Sequence, residues 1–239
     1  MNIPALREIE DQDQVSSAEG GARSLIGDTY LGLRKDIIEG RYAPGEKLRV
    51  EHLKAKYDVS GSTLREALAL LVSDSLVVPQ AQRGFRVAPM SMDDVVDLTR
   101  TRIMLECAAV RDAIRYGDDQ WEARVVSAYH MLSRAEERLA SDLKDVLPEW
   151  ERRNQEFHEA LVSACPSRWV LRFRSILYQQ SQRYRQLSAV KSEVPASIHE
   201  EHREIFEAAM ARDVDRADKV LAKHIGYALT ILQDKGLLQ

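Results

Sequence analysis

The sequence has little cysteine and no long apolar run. Its two cysteines, Cys107 and Cys165, stand at no paired spacing, so we expect reduced thiols rather than a disulfide framework. No apolar stretch approaches the ~20 residues that span a bilayer, and the first residues lack the apolar core of a secretory signal. These absences exclude a membrane-spanning or disulfide-stapled protein and predict a cytoplasmic one.

The chain also lacks a strong charge of either sign, since its net charge is −4. Residues 1–23 hold two basic and five acidic side chains, whereas residues 24–90 hold ten basic and eight acidic ones. A protein that binds nucleic acid through a uniformly basic surface is therefore excluded. Residues 24–90 nevertheless carry a small excess of positive charge, which suits binding to DNA. Residues 1–23 are acidic, end in Gly20-Gly21 and are predicted to be a flexible tail.

Residues 24–90 have the pattern of a small domain that combines helices with a hairpin. The predicted helices and strands are 24–39, 50–57 and 61–73, then 77–79 and 85–87. Gly40 suits the left-handed position after the first helix, and Ser60 is the predicted N-cap of the third. The tip at 80–84 joins the two strands. Together these parts predict a winged helix-turn-helix.

From Ser91 onward every segment has helical periodicity. The helices are predicted at about 91–115, 119–140, 148–164, 167–188, 197–211 and 213–234. Proline falls at three of the breaks, Pro148, Pro166 and Pro195, where a missing N–H does little harm. The sequence thus predicts a mainly α protein in which residues 91–239 form an all-α antiparallel helical bundle that binds a ligand and dimerises.

The helix at 61–73 is the candidate recognition helix. Leu64, Ala67, Leu68 and Leu71 follow the i, i+3, i+4, i+7 spacing of a buried stripe, which leaves Arg65 exposed near the helix N-terminus. An arginine at this position is able to donate two hydrogen bonds to guanine. The neighbouring hydroxyl groups are able to donate to phosphates or bases. The predicted DNA contacts are Arg49, Ser60, Ser62, Thr63, Arg65, Arg83 and Gly84. The alternative is an ordinary solvated helix face.

The helical part holds five of the six histidines. Asn154 and His158 lie one turn apart on one predicted helix, and His202 and His224 lie on two others. Three imidazoles and an amide oxygen from three helices predict a site for a divalent cation, zinc or nickel, inside the bundle. The alternative is that each histidine is a satisfied, partly buried side chain.

Arg102 lies in an otherwise apolar stretch, where a guanidinium needs an anion. It is predicted to bind the carboxylate of a small effector. The alternative is a structural pair with Glu106, one turn away on the same helix. Tyr178 and Arg183 on the helix at 167–188 are predicted to line the same cavity, although their spacing fits an exposed seam equally well.

The first domain resembles the GntR family of winged-helix regulators. The resemblance rests on Leu33-Arg34-x-x-Ile37-Ile38-x-Gly40-x-x-x-Pro44-Gly45-x-x-Leu48, Val59-Ser60-x-Ser62-Thr63-Leu64-Arg65-Glu66-Ala67-Leu68, Leu76-Val77 and Arg83-Gly84-Phe85-x-Val87. Members usually have arginine between the cap serine and the next hydroxyl residue, where this chain has Gly61. The resemblance implies operator DNA as the partner, with one expected contact removed.

Residues 91–239 resemble the FCD effector domain of the FadR branch of that family. The matching residues are Arg102-x-x-x-Glu106, Asn154-x-x-Phe157-His158-x-x-Leu161, Glu201-His202-x-x-Ile205 and His224. Such domains often hold a metal through Asp, His, His and His, which implies the same three histidines as ligands here. Asn154 stands where Asp is usual, so the site would carry one negative charge fewer. His199 shares a helix face with His202 and is the alternative metal ligand from that helix.

We therefore predict a sequence-specific DNA-binding transcription regulator, in particular a repressor, whose operator affinity a small organic acid controls from a metal centre. Operators of such modules are usually two-fold symmetric, which predicts a palindromic site and a homodimer. A metal-sensing regulator is the main alternative. A three-histidine metalloenzyme is disfavoured, because no nucleophile motif or phosphate-cradling loop occurs and an enzyme needs no winged helix.

Overall fold

A computed structural model describes residues 24–80, 84–139, 143–191 and 197–238. The tail predicted at 1–23, the predicted DNA contact Arg83 and the predicted helix break at Pro195 lie outside these ranges.

The N-terminal part is a winged helix. Its elements in chain order are α1 Leu25–Ile38, β1 Lys47–Leu48, α2 Val50–Tyr57, α3 Gly61–Ser73, β2 Val77–Gln80 and β3 Gly84–Val87. The strands form one antiparallel sheet in the order β1-β3-β2, in which Phe85 pairs with Leu48 on one side and with Pro79 on the other. The hairpin of β2 and β3 is the predicted wing. Two-residue β1 is too short to leave a periodic pattern in the sequence.

Local side chains fix the helix ends in this domain. Ser24 caps α1 with its hydroxyl, and Gly40 follows at φ +73°, in the left-handed region that suits glycine. Asp58, also left-handed, ends α2. The hydroxyl of Ser60 accepts from the backbone amide of Thr63 at 3.2 Å and caps α3, as predicted. The first turn of α3 is therefore held in one conformation before any partner binds.

This domain has an apolar core of its own. The helices α1 and α3 pack together and cover the sheet. The buried members are Leu33, Ile37, Leu48, Leu53, Leu64, Ala67, Leu68, Leu71, Leu76, Val77 and Val87. The predicted stripe of α3 is among them, so the opposite side of α3 faces outward.

The remainder of the described chain is helical. Its elements are α4 Met92–Tyr116, α5 Asp119–Leu139, α6 Leu143–Val162, α7 Arg168–Lys191, α8 Ile198–Met210 and α9 Val214–Asp234. They share one core that includes the fully buried Trp121, Phe157 and Leu161. The prediction of a mainly α protein with a winged helix and a helical bundle is confirmed. Within the described ranges, no helix combines the length and apolarity needed to cross a bilayer.

Two predicted helix boundaries are wrong. The helix α6 begins at Leu143, so Pro148 lies inside it rather than at its start. A proline so early in a helix removes only one backbone hydrogen bond, and apolar packing by Val146 and Leu147 continues beside it. The helix α7 runs to Lys191, beyond the predicted end at 188. Pro166 does separate α6 from α7, as predicted.

Candidate functional site

The outward side of α3 carries the polar side chains that were predicted to contact DNA. Arg65 and Ser62 are exposed and Thr63 is half-buried. The hydroxyl of Ser60 lies 2.8 Å from that of Ser62 and 2.9 Å from that of Thr63. The guanidinium of Arg65 lies 3.5 Å from the carbonyl of Gly61. A hydroxyl cluster and one exposed cation thus meet at the helix N-terminus.

Gly61 leaves room for that arginine. A Cβ at Gly61 would lie 3.4 Å from Nη1 of Arg65 and 3.6 Å from Cδ of Lys54. Any longer side chain there would therefore compete with Arg65 for the same space. Lys54 on α2 is a second cation beside the recognition helix, paired with Glu51 at 3.0 Å. The sequence reasoning missed Lys54, because it considered only residues of α3, the wing and the start of α2.

The other predicted DNA contacts lie on the flanks of α3. Arg49 is exposed at the N-cap position of α2, where its guanidinium, which only donates hydrogen bonds, does not cap the helix amides. Gly84 starts β3 at φ +89°, and a Cβ there would meet nothing within 4 Å. The backbone at the base of the wing is thus open to close approach. Arg83, next to Gly84, belongs to the undescribed tip.

Three histidines from three helices converge inside the bundle. His158 on α6, His202 on α8 and His224 on α9 bring ligand atoms within 4.8 Å of one another. The ring centroids of His224 lie 5.2 Å from those of His158 and 4.6 Å from those of His202. His158 and His202 are fully buried and His224 is nearly so. The predicted juxtaposition therefore occurs, and we call these residues the histidine cluster.

Carboxylates orient two of the three rings. Nδ1 of His202 lies 2.5 Å from Glu136 on α5, and Nδ1 of His224 lies 3.0 Å from Glu201 on α8. A carboxylate on Nδ1 fixes the proton there and leaves Nε2 as a lone-pair donor. Nε2 of His202 and Nε2 of His158 are both buried and have no hydrogen-bond partner within the described ranges. The cluster thus contains ring nitrogens whose lone pairs are unused. Such nitrogens are the atoms that coordinate a metal ion in proteins.

His199 is not part of the cluster. Its Nδ1 lies 2.8 Å from the other oxygen of Glu136, so it shares the carboxylate of His202. The indole N–H of Trp150 donates to Glu136 at 3.5 Å. The sequence reasoning missed Glu136, since α5 carries no motif that distinguishes one glutamate from its neighbours.

Burial favours the neutral imidazoles of His158 and His224. Burial, with the charges of the other imidazoles and of Arg102, lowers the pKa of His158 well below its usual value. Burial also lowers the pKa of His224 to about 4, although its hydrogen bond to Glu201 opposes the shift. Burial alone would raise the pKa of Glu136, but the hydrogen bonds and charges of His202 and His199 together outweigh that effect and lower the pKa. Neutral imidazoles are the form that binds metals.

Asn154 lies one turn before His158 and is 3% exposed. Its amide N–H donates to the hydroxyl of Tyr178 at 3.3 Å, and its carbonyl oxygen Oδ1 is buried with no partner among the described residues. The hydrogen bond to Tyr178 therefore reserves the oxygen end of the amide for another group. A neutral carbonyl oxygen is a weaker ligand than a carboxylate.

Three arginines surround the ring of Tyr178, of which Arg102 and Arg174 are buried and Arg185 is partly exposed. The guanidinium carbons of Arg185, Arg102 and Arg174 lie 4.6, 4.8 and 5.9 Å from its centroid. Nη2 of Arg174 and Nε of Arg185 are buried and find no hydrogen-bond partner in the part of the chain that the structure describes. These residues form the arginine cluster, and its free N–H groups are suited to an anion. Arg174 and Arg185 were missed because the sequence reasoning took only Arg102 and Arg183 as anion-binding candidates.

Arg102 forms the pair with Glu106 that the sequence left open as the alternative to an effector role. Its Nε lies 3.4 Å from Glu106, and its Nη1 donates to the hydroxyl of Ser181 at 3.0 Å. Glu106 is held more closely by Arg174, at 2.7 Å. Burial lowers the pKa of Arg102, and the charge of Glu106 only partly offsets that effect. Arg102 is thus a buried cation whose carboxylate partner, Glu106, also pairs with Arg174.

The predicted effector role of Arg183 does not fit its position. Its guanidinium donates to the carbonyl of Ala88, just after the wing, at 2.5 Å. The next residue, Tyr184, donates to Asp94 in the first turn of α4 at 2.5 Å. Both side chains therefore serve the junction between the domains, because they lie on a different side of α7 from Tyr178.

The glutamates beside His158 are engaged in ion pairs. Glu156 pairs with Arg152 and Arg153 at 2.9 and 2.8 Å, and Glu159 pairs with Arg174 at 3.0 Å. Neither is placed as a general base for a metal-bound water, which a hydrolase would need.

Comparison with known proteins gives matches along most of the chain. The model for bacterial regulatory proteins of the gntR family matches residues 25–87, and that for the FCD domain matches residues 97–227. The uncharacterized HTH-type regulator BphR of Paraburkholderia xenovorans (strain LB400) is 51% identical over 91% of this chain and 89% of its own. The HTH-type repressor GlaR of Escherichia coli (strain K12) is 37% identical over 86% and 94%.

Solved structures share the fold. A GntR transcriptional regulator from Rhodococcus sp. RHA1 matches with a TM-score of 0.69 and 26% identity, over 87% of this chain and 97% of that one. Escherichia coli McbR/YncC matches with a TM-score of 0.71 and 21% identity, over 89% and 99%.

Proposed function

The chain belongs to the GntR family of bacterial regulatory proteins and carries an FCD domain, and from this premise we propose that it is a repressor that a small organic acid releases from its operator. It is a transcription regulator with a DNA-binding winged helix. One observation supports what goes beyond the family. Among the residues that the structure describes, buried acceptors at the histidine cluster and buried donors at the arginine cluster have no hydrogen-bond partner.

On the DNA side, Arg65 is the proposed base reader. It is exposed at the N-terminus of α3, where a recognition helix enters the major groove. Ser62 and Thr63 beside it are proposed to bind phosphate or base edges, and Arg49 to bind phosphate. Ser60 serves mainly as the cap that fixes this surface, since its hydroxyl already accepts from a backbone amide.

On the ligand side, a divalent cation fits the residues present. Glu136 and Glu201 lie behind His202 and His224, and a buried carboxylate without counter-charge is costly. A cation at the Nε2 atoms of the cluster supplies that charge and satisfies the orphaned acceptors. Imidazole ligands suit zinc or nickel, with Asn154 Oδ1 as the proposed fourth ligand. The metal would supply a positive centre that binds an anion.

The effector is proposed to be a small carboxylic acid. One acid group would lie between the metal and the arginine cluster, where Arg102 and Arg185 donate to it. Fluorescence anisotropy of labelled operator, titrated with a panel of small mono- and dicarboxylic acids in the presence of zinc, tests the proposal. We expect at least one acid to release the DNA, whereas matched neutral amides do not. Release by amides and acids alike would contradict recognition by the arginines.

Replacing Asn154 by aspartate is expected to tighten zinc binding roughly tenfold, because an anionic oxygen replaces a neutral one, a gain of about 1.4 kcal/mol. Competition with a chromogenic chelator measures it. Asn154→Ala is the control and should weaken binding. If both variants bind zinc like the wild type, Asn154 is not a ligand.

A homodimer is proposed because a two-fold operator needs two recognition helices. Trp169, Phe173 and Ile176 follow one another at helical spacing on α7 and are 58%, 52% and 43% exposed. Met104 on the adjoining α4 is 65% exposed. Large exposed apolar side chains on one face are typical of an interface, and a face on a two-fold axis meets its own copy. We call these four residues the apolar face.

The Phe173→Glu variant is expected to be monomeric, because it places a charge at the centre of the apolar face. Light scattering should then give the chain mass of 27.2 kDa instead of twice that value. Val126→Glu on α5, where the valine is 46% exposed, is the matched control and should remain dimeric. A wild-type protein of single-chain mass at micromolar concentration, with and without DNA, would contradict the dimer.

A further inference from the structure

We propose that residues 178–185 of α7 couple the arginine cluster to the docking of the DNA-binding domain. This segment touches both sites within two helical turns. The inference rests on the proposed function only in treating the arginine cluster as the place where an anion binds.

One side of the segment holds the winged helix. Gln180, Gln182 and Arg183 each form a hydrogen bond to a different part of that domain: the residue that ends α3, the middle of α1 and the residue after β3. The pairs are Gln180 with the Asp74 carbonyl, Gln182 with Arg34 at 3.0 Å and Arg183 with the Ala88 carbonyl at 2.5 Å. The recognition helix, the first helix and the wing are thus all attached to four consecutive residues of α7.

The other side of the segment lines the anion site. Tyr178, Ser181 and Arg185 have i, i+3, i+7 spacing, so they share a face. The Ser181 hydroxyl accepts from Arg102 at 3.0 Å and from Arg185 at 3.1 Å, and donates to the carbonyl of Tyr178 at 2.7 Å. Ser181 is therefore the point where the guanidinium of Arg102 on α4 is held against α7. Arg185 belongs to α7 itself and also pairs with Glu151 on α6 at 3.1 Å.

An anion in the cavity competes with Ser181 for the same donors. When Arg102 turns to a carboxylate, the Ser181 hydroxyl loses a charged donor and α7 loses a contact with α4. The docking on its far side depends on few hydrogen bonds, each of modest net strength, so a small movement of α7 is enough to change it. The position of the segment thus depends both on the arginine cluster and on the docking contacts with the winged helix. Coupling between two sites requires an element of this kind.

Hydrogen exchange with Ser181→Ala tests this without any effector. Ser181 makes none of the three docking bonds, yet we expect amides of α1 and of residues 74–76 to exchange roughly fivefold faster, as expected for the loss of about one hydrogen bond. Amides of α5 and α8 should be unchanged. Ser163→Ala is the matched control, since that hydroxyl also donates to a carbonyl of its own helix, at 2.9 Å, but lies outside the segment. No change in α1, or an equal change in α5 and α8, would overturn the proposal.

The reverse direction follows from linkage, because coupling between two sites is reciprocal. Gln182→Ala, which removes a docking bond, is expected to tighten the binding of acetate, used as the anion probe, by severalfold in isothermal titration, because an anion that weakens docking binds better when docking is already weakened. Tyr57→Phe is the control, since it removes only a bond within the winged helix, from Tyr57 to Asp36 at 2.6 Å. Equal acetate affinity in Gln182→Ala and wild type would contradict the coupling. If the wild type binds no acetate, the proposed anion site fails, and the exchange experiment still decides the coupling.

Discussion

Arg65→Ala is expected to lower the affinity for operator DNA by roughly 5- to 150-fold, since a bidentate contact to guanine is worth about 1–3 kcal/mol. The fold should be intact, because Arg65 is exposed and only its own helix carbonyl is near. An operator selected by the wild type from randomised DNA, compared with a scrambled duplex in anisotropy titrations, gives both affinities. Only the affinity for the operator should fall by this amount. The ratio of operator affinity to scrambled-duplex affinity should therefore fall by the same factor.

Arg134→Ala is the control for the loss of one positive charge. Arg134 is exposed on α5, in the bundle, with a long ion pair of 3.8 Å to Glu137. Its removal should leave operator affinity nearly unchanged. Arg49→Ala is an informative contrast, because losing a phosphate contact should weaken operator and scrambled DNA alike and reduce the salt dependence. Unchanged operator affinity in Arg65→Ala would show that another residue reads the bases.

His202→Ala is expected to abolish stabilisation by zinc. A ligand at a thousandfold excess over its Kd stabilises a protein by about 4 kcal/mol, which is roughly 8–16 °C in Tm for a domain of this size. The wild type should show such a shift in calorimetry, and the variant should show almost none, since it loses one imidazole and the hydrogen bond of that ring to Glu136. Operator affinity of the effector-free variant should stay within about twofold of wild type.

His130→Ala is the matched control, because this histidine lies on α5 and is not one of the three clustered residues. It should keep the full zinc shift. An equal shift in His202→Ala and wild type would mean that zinc binds elsewhere on the chain.

The sequence predicted those parts of the site that depend on helix periodicity. The spacing of Leu64, Ala67, Leu68 and Leu71 determined which side of α3 is buried, and therefore that Arg65 faces outward. The four-residue step from Asn154 to His158 likewise placed both on one face. In each case the inference needs only the geometry of a single helix.

The parts that failed depend on contacts between helices. Glu136 binds His202 across 66 positions, and Arg174 binds Glu106 across 68; neither pair leaves a local pattern. Arg183 was assigned to the effector because it shares α7 with Tyr178, but five residues along a helix is more than one turn and points it toward Ala88 instead. Assigning a face of α7 required knowing which domain each side meets.

The metal content of the protein tests the central claim most directly. The wild type should be purified without chelator or affinity metal, dialysed, and measured by elemental analysis before and after titration with zinc and with nickel. The account predicts one divalent ion per chain, with an anomalous-scattering peak between His158, His202 and His224. A wild-type protein that carries no metal and takes up none from either titration would contradict it, and the three histidines would then be structural.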